Sequence, residues 1–199
     1  MKAKKFRGKK IVIASHNPGK VREISELIQP YVETVIGARE LKLVEPEETG
    51  LSFAENSQLK ALKAASVSQL PSLADDSGLE IRTLNNAPGI YSARWAGPNK
   101  DFNSAMHKIS KLMVSSTDTM AQFTCSLTLA WPDASYVTFE GNVKGKVQFP
   151  AKGDKGFGYD PIFVPTNYHE TFGEMDPKKK DEISHRAIAF NQLIKHCFT

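Results

Sequence analysis

The sequence predicts a mixed α/β domain, because short apolar strands and amphipathic helices follow one another along the chain. A strand and a helix come first, then a helix and a strand, and finally a helix, two extended segments and a last helix. Elements with one apolar face bury that face against one another in layers. The order lacks the regular alternation of a doubly wound fold. The 199 residues suffice for a core without disulfides or a structural metal.

The first half of the chain contains three clear element boundaries. Residues 10–15 predict a short buried strand, and the helix after it has Asn17 as its N-cap and Pro18 in its first turn. A second helix begins at Ser52, which stands three residues before a glutamate as in a capping box. Residues 73–78 predict a strand that runs into a polar turn.

The second half of the chain adds two helices and two strands. Apolar residues at helical spacing predict a helix over 102–113, and a final helix is predicted to begin near Ser184. Residues 121–131 and 135–148 are extended segments, which we interpret as antiparallel neighbours in one sheet.

The charge distribution argues against a polyanionic macromolecule as the partner. The formal net charge is +4, but six of the 26 basic residues lie within the first ten positions, which contain no acid. The remainder carries 20 basic against 22 acidic residues. We therefore expect a flexible basic tail over residues 1–9 and a single domain over residues 10–199.

Location and partners follow from the same composition. The sequence contains no nucleic-acid motif and no apolar run long enough to cross a bilayer, so we expect neither a nucleic-acid nor a membrane partner. Cys125 and Cys197 form no CxxC pair, which is typical of reduced thiols. A cytoplasmic location is the expectation.

Polar segments in the first half of the chain carry candidate phosphate and metal chemistry. Residues 15–20 open a helix, where backbone N–H groups and a lysine suit a phosphate, although a plain turn would look the same. Neighbouring strand residues point to opposite faces, so we expect only one of Asp75 and Asp76 to enter a given cleft. Its carboxylate could hold Mg²⁺ or accept a proton from water, although a polar turn would look the same. The acidic cluster of Glu45, Glu47 and Glu48 could complete such a site or simply be solvated.

Two segments in the second half suit a base or further phosphate contacts. Residues 153–161 place three glycines around two aromatic rings, and such rings either stack on a base or cover the core. The lysine run at residues 178–180 and residues 184–186 provide donors, although a lysine run is usually a solvated face.

Taken in order, six segments closely resemble the inosine/xanthosine triphosphate pyrophosphatase family in its bacterial form. They are ASHNPGKVREI, EETGLSFAENSQLKA, LADDSGLEI, APGIYSARWAG, GFGYDPIF and ISHRAIAF, and together they span roughly residues 10–195. The resemblance implies a mixed central sheet flanked by helices, two lobes with an active-site cleft between them, and a homodimer. It also implies Mg²⁺-dependent hydrolysis of non-standard purine nucleoside triphosphates (ITP, dITP and XTP) to the monophosphate and pyrophosphate.

The same resemblance implies a role for each matching residue. Asp76 would be the general base and a metal ligand, Lys60 a second catalytic residue, and Glu47 the second metal ligand, with Glu48 as its alternative. The substrate-binding residues implied are Ser15, His16, Asn17, Pro18, Gly19, Lys20, Ser77, Phe157, Gly158, Tyr159, Asp160, Lys180, His185 and Arg186. Of these, Lys180 and Arg186 would recognise the 6-oxo group of the purine.

Other functions remain possible from the residues alone. A non-catalytic nucleotide-binding module could use the same loops, but it would need no poised acid such as Asp76. A general nucleotide phosphatase would differ by releasing orthophosphate. A nucleic-acid-binding protein is disfavoured by the charge of the domain.

Overall fold

The computed structural model describes residues 4–198, which form one mixed sheet flanked by helices. The strands are β1 (Lys10–Ile13), β2 (Thr34–Gly37), β3 (Ser72–Ile81), β4 (Ala87–Pro88), β5 (Met120–Ala130), β6 (Tyr136–Val147) and β7 (Phe163–Pro165). The helices are α1 (Pro18–Ile28), α2 (Phe53–Ser68), α3 (Ser92–Trp95), α4 (Phe102–Leu112), α5 (Pro177–Ile183) and α6 (His185–Leu193). The strand order is β2-β1-β3-β5-β6-β7, with β4 also paired to β3. This confirms the predicted fold class.

The described chain divides into two compact units, each with its own core. Unit 1 consists of residues 4–76, 125–141 and 186–198. In it β1 pairs in parallel with β2, from Lys10 opposite Thr34 to Ile13 opposite Gly37, and β1 also pairs in parallel with β3. Its largest apolar cluster joins β1, α1, β5 and α6, and its fully buried members include Ile11, Ile24, Leu127 and Leu193.

Unit 2 consists of residues 77–124 and 142–185. Here β3 pairs antiparallel with β4, and β6 pairs antiparallel with β7. Its core is rich in aromatic rings, because Phe123, Phe163 and Phe172 pack with ring centroids 4.7 to 6.1 Å apart. Such contacts add stabilisation beyond the apolar area that they bury.

Helix starts were the most accurate predictions. Asn17 caps α1 with its side chain, and Ser52 caps α2 by accepting the N–H of Glu55. The carboxylate of Glu55 reaches back one residue further than a capping box requires, to the N–H of Leu51. The two predicted extended segments in the second half are β5 and β6, adjacent strands of the sheet.

One prediction about local structure was wrong, and one helix was not predicted. The strand at residues 73–78 does not end in a turn, since β3 continues to Ile81 with both of its neighbouring aspartates buried inside it. The lysine run at residues 178–180 lies on a separate helix, α5, which begins at Pro177 after an Asp176 cap and ends at Ile183 before α6.

The predicted basic tail lies partly outside the described residues, which begin at Lys4. Within the described part, the Phe6 N–H donates to the carbonyl of Cys197 at 2.7 Å, and the Phe6 ring stacks on Phe198. Flexibility of the whole tail stays a prediction. Among residues 4–198, no helix combines the length and apolarity needed to cross a bilayer.

Candidate active site

The turn between β1 and α1 forms the capped N-terminus of helix α1, a type of structure that can bind an anion. The Asn17 Oδ1 accepts the N–H groups of Gly19 at 2.9 Å and Lys20 at 3.4 Å. The Ser15 Oγ accepts the Asn17 N–H at 3.2 Å, while Pro18 occupies the first helical position and is exposed. The turn is therefore held by its own side chains, and the positive end of the helix dipole lies there.

His16 connects this turn to the acidic loop. Its Nε2 lies 2.8 Å from the Leu43 carbonyl oxygen, and its Nδ1 lies 4.0 Å from the Glu45 carboxylate. A cavity of about 350 Å³ lies beside it in unit 1. The cavity is lined by Ala14, His16, Ala38, Lys42, Leu43, Val44, Glu45, Pro46, Lys60, Lys63, Ala64 and Val67.

Strand β3 presents Asp75 and Asp76 to different partners. Successive residues of a strand point to opposite faces, so the two adjacent carboxylates make different direct contacts. The Asp75 carboxylate accepts from Arg186 at 2.9 Å and contacts Lys20 Nζ at 3.1 Å. The Asp76 carboxylate accepts instead from Lys60 Nζ at 3.0 Å. Both aspartates are buried.

Helix α2 supplies the second side of the Asp76 site. Asn56 and Lys60 lie four residues apart and therefore share one face of the helix. Asn56 Nδ2 donates to Asp76 Oδ2 at 3.2 Å, and Lys60 Nζ also contacts Glu48 Oε1 at 2.7 Å. The side-chain Oδ1 of Asn56 accepts the Gly50 N–H at 2.8 Å. This hydrogen bond connects the loop that contains Glu48 to helix α2.

Burial and charge oppose each other at Asp76 and Lys60. Burial raises the pKa of Asp76 above its usual range, although the ammonium groups of Lys60 and Lys20 counteract it. Burial on its own would lower the pKa of Lys60, but the carboxylates of Asp76, Glu48 and Asp75 outweigh it and keep Lys60 charged. A carboxylate with a raised pKa beside a fixed cation is suited to proton transfer.

Arg186 lies at the centre of the buried charges of unit 1. Its guanidinium donates to the carboxylates of Glu23 and Asp75, and only 1% of the residue is exposed. Burial on its own would raise the pKa of Asp75, but Lys20 and Arg186 outweigh it and hold the pKa well below its usual range. Asp75 and Arg186 are therefore charged, and Arg186 is paired with both Asp75 and Glu23.

In unit 2, the glycine-rich loop folds around the Asp160 carboxylate. Asp160 Oδ2 accepts the Phe157 N–H at 2.9 Å and the Lys180 ammonium at 2.7 Å. Gly156 has a φ of +75°, and a Cβ at this position would collide with the Asp160 carboxylate. Only glycine therefore allows the loop to close on this aspartate. Gly158, also at positive φ, lies in the same loop.

Aromatic rings surround the Lys180 ammonium. Nζ lies 4.9 Å from the centroid of Phe157 and 5.7 Å from that of Phe172, distances at which a cation is attracted to a ring face. The His185 ring stacks on Phe123 with centroids 4.8 Å apart and planes 11° apart. Unit 2 therefore combines a buried cation, a carboxylate and a half-buried aromatic face at Phe157.

Two further predicted site residues belong to unit 2. The Tyr159 hydroxyl donates to the Ser92 carbonyl oxygen at 2.9 Å, and its ring meets Phe102 edge-on. Burial raises the pKa of Tyr159, so its hydroxyl stays protonated. Ser77 is half-buried at the first position of unit 2.

The acids of unit 1 have the composition that Mg²⁺ accepts with a phosphorylated ligand. Among residues 4–198, no group of three or more His, Cys, Asp or Glu side chains is placed to hold a metal ion by itself. Mg²⁺ commonly uses only one or two protein carboxylates and takes its other oxygens from phosphates and water. Asp76 and Glu48 both contact the Lys60 ammonium. Glu47 is exposed and immediately precedes Glu48 in the sequence. The donor set therefore fits the ion.

A family model described as the Ham1 family matches residues 11–196. The chain belongs to the Ham1 family. A dITP/XTP pyrophosphatase from Rhodospirillum centenum is 51% identical and covers 98% of this chain and 98% of its own. One from Caulobacter vibrioides is 52% identical, with coverages of 94% and 96%. These relatives confirm the resemblance found in the sequence.

The solved structure of a HAM1 protein from Coxiella burnetii superimposes on this chain with a TM-score of 0.85. It is 38% identical, and the match covers 94% of this chain and 96% of that one. The mixed sheet flanked by helices is therefore the fold of this Ham1-family chain.

Sequence reasoning overlooked two residues that contact the site of this Ham1-family chain. Asn56 is one helical turn before Lys60, and that spacing could have placed it beside Asp76. Glu23 is a buried acid on an otherwise apolar helix face, where a paired cation should have been expected. Asp75 was already a candidate, but its ion pairs with Lys20 and Arg186 were not predicted.

Proposed function

We propose that this protein hydrolyses the non-standard purine nucleoside triphosphates ITP, dITP and XTP to the monophosphate and pyrophosphate. By keeping these bases out of DNA and RNA, the reaction would cleanse the nucleotide pool. The observation that carries the proposal is the cluster of Asp76, Lys60, Glu48, Asp75 and Lys20 beside an anion-type helix N-terminus. The relatives named dITP/XTP pyrophosphatase support the same reaction.

The phosphate chain is assigned to unit 1. Lys20 and Lys60 neutralise phosphate oxygens, and the turn over residues 15–20 offers backbone N–H groups to the same chain. Asp76 orients a water molecule and takes its proton as the water attacks the α-phosphorus. The α–β bridging bond then breaks, and pyrophosphate leaves. Its raised pKa makes Asp76 a better base than an exposed aspartate.

Mg²⁺ is the proposed cofactor, held by Asp76 and Glu47. Glu48 is the alternative second ligand, but its carboxylate already contacts Lys60. When bound, the ion would withdraw charge from the phosphate oxygens. Residue positioning and charge stabilisation then supply most of the rate enhancement.

The purine is assigned to unit 2. Phe157 provides a ring face for stacking, and Gly158, Tyr159 and Asp160 shape the loop around it. Lys180, Ser77 and His185 complete the substrate contacts, and Lys180 donates to the 6-oxo group. Adenine lacks that acceptor, so a buried donor would be left unpaired, and such losses discriminate strongly.

A nucleotide panel tests the reaction. Purified protein with Mg²⁺ is incubated with ITP, dITP, XTP, ATP and GTP, and pyrophosphate and orthophosphate are quantified separately. We expect one pyrophosphate per monophosphate, fastest with the first three nucleotides, and no turnover in excess EDTA. Release of orthophosphate instead would identify a nucleotide phosphatase, and binding without turnover would identify a sensing module.

The assembly and location of the enzyme are also proposed. We expect a homodimer, to be measured by sedimentation equilibrium, and a cytoplasmic location, to be measured by cell fractionation. A monomer at micromolar concentration would contradict the first expectation. Recovery in the membrane pellet would contradict the second.

A further inference from the structure

Four charged side chains of alternating sign form a continuous chain in unit 1. The carboxylate of Glu23 accepts from Arg186 Nη1, Arg186 Nη2 donates to Asp75 at 2.9 Å, and Asp75 lies 3.1 Å from Lys20 Nζ. Elements distant in sequence supply them, since Glu23 and Lys20 lie on α1, Asp75 on β3 and Arg186 on α6. We call this set the buried charge chain.

The two ends of the buried charge chain differ in solvent exposure. The side chains of Asp75 and Arg186 are 0% and 2% exposed and that of Glu23 is 6% exposed. The side chain of Lys20, the last residue of the turn over residues 15–20, is 16% exposed. The chain therefore ends in the one of its four side chains that is most exposed to solvent or to a ligand.

Fixing a lysine before its ligand arrives favours binding. A lysine side chain loses rotamer entropy when it is immobilised. If this loss occurs on binding, it weakens the affinity for the ligand. Asp75 restrains Nζ in advance, and Asp75 is itself restrained by Arg186, which Glu23 holds from the other side. An ammonium has three N–H donors, and the contact with Asp75 uses one of them.

We propose that Asp75 is a positioning residue that sets Lys20 against the phosphate chain of the nucleotide, with Arg186 and Glu23 as its support. The inference rests on the proposed function, because that function assigns Lys20 to phosphate. It gives Arg186 a supporting role that acts through Asp75. Charge on Asp75 is maintained by its two cationic neighbours.

The test is a double-mutant cycle read with tripolyphosphate, a probe that has no base. Binding of tripolyphosphate with Mg²⁺ is measured by calorimetry in wild type, Asp75→Asn, Lys20→Met and the double variant. With Lys20 present, Asp75→Asn should weaken binding about 5- to 10-fold, the worth of one immobilised side chain. In the Lys20→Met background the same change should cost less than about 2-fold. Equal losses in both backgrounds would overturn the proposal.

Steady-state kinetics provide a second test, because a merely structural role of Asp75 would not affect KM and kcat differently. Asp75→Asn should raise KM for ITP more than it lowers kcat, because Lys20 binds phosphate before and during the reaction. The matched control is Asp133→Asn, which removes an exposed carboxylate paired with Lys4 and should leave both parameters unchanged. A fall in kcat with KM unchanged in Asp75→Asn would contradict a positioning role.

Folding and the proposed function are controlled separately. If circular dichroism shows that Asp75→Asn is unfolded, the cycle is repeated with Glu23→Gln, which weakens the support of Asp75 through Arg186. That variant should lose about 2- to 3-fold in tripolyphosphate binding only when Lys20 is present, and additivity would again overturn the proposal. If wild type releases no pyrophosphate from ITP, the proposed function fails, but the binding cycle still measures the role of Asp75.

Discussion

Lys60 in unit 1 and Lys180 in unit 2 are both buried lysines, but their surroundings differ in kind. Lys60 contacts two carboxylates, those of Asp76 and Glu48. Lys180 contacts the carboxylate of Asp160 and lies over aromatic rings. The first environment has an excess of negative charge, which suits a divalent cation with phosphates. The second places a cation beside aromatic rings, which suits a directional hydrogen bond to a planar ligand that also stacks.

The difference shows how one chain can separate chemistry from recognition. Groups that move protons or hold metal need several charges whose pKa values are shifted by one another. Groups that select a base need a rigid donor beside a stacking face, with as little competing charge as possible. Substitutions at Asp76 and Lys60 should therefore change the rate of the chemical step, and substitutions around Lys180 should change the binding and selection of the base.

The largest expected effect is the loss of turnover in Asp76→Asn. Removal of the proposed base should lower kcat for ITP about 10²- to 10⁴-fold, while circular dichroism shows a folded protein. The matched change in unit 2, Asp160→Asn, should act mainly on KM because Asp160 shapes the base loop. Near-wild-type hydrolysis by Asp76→Asn would break the comparison.

The next expected effect separates the two adjacent glutamates of unit 1. Glu47→Gln should raise the Mg²⁺ concentration for half-maximal activity at least about 10-fold, as expected for loss of a metal-site group. Glu48→Gln is the matched control and should lower Lys60-dependent turnover with a smaller change in Mg²⁺ requirement, because Glu48 contacts Lys60. The reverse order would make Glu48 the second ligand. Both variants are titrated with Mg²⁺ at saturating ITP.

A smaller effect concerns selectivity and distinguishes Lys180 from Arg186. Lys180→Met should lower the ratio of kcat/KM for ITP over ATP about 10-fold, the worth of one buried hydrogen bond. Arg186→Lys should raise KM for both nucleotides and leave the ratio unchanged, since Arg186 contacts Glu23 and Asp75. The control is Lys179→Met, whose exposed ammonium pairs with Glu170. A changed ratio in Arg186→Lys would favour direct contact with the base.

The sequence was most informative where a local rule determines the structure. Asn17 and Ser52 were predicted as helix caps because their side chains satisfy N–H groups two or three residues away. The strand through Asp75 and Asp76 was underestimated, because two buried carboxylates are stable there only with cations from α1, α2 and α6. No local rule supplies such partners.

The site was predictable in its members and less so in their contacts. The resemblance to a known family, which rests on short motifs, predicted Asp76, Lys60 and Lys180 as site residues. It could not indicate that Arg186 is enclosed by Glu23 and Asp75, because these pairings join positions more than 100 residues apart. Long-range ion pairs depend on the folded topology, and single residues give little signal of them.

The smallest expected effect is a thiol titration that reports on unit 1 alone, because both cysteines lie in that unit. Burial raises the pKa of Cys125 from 9.0 to about 12 and that of Cys197 to about 11. A raised pKa stabilises the folded state fully below pH 9, and this contribution is lost as the pH rises from 9 toward 12. At pH 8, a disulfide reagent should therefore label neither thiol in the folded protein and both in urea. Cys125→Val should flatten the fall in unfolding free energy above pH 9, and an unchanged slope would contradict the shift.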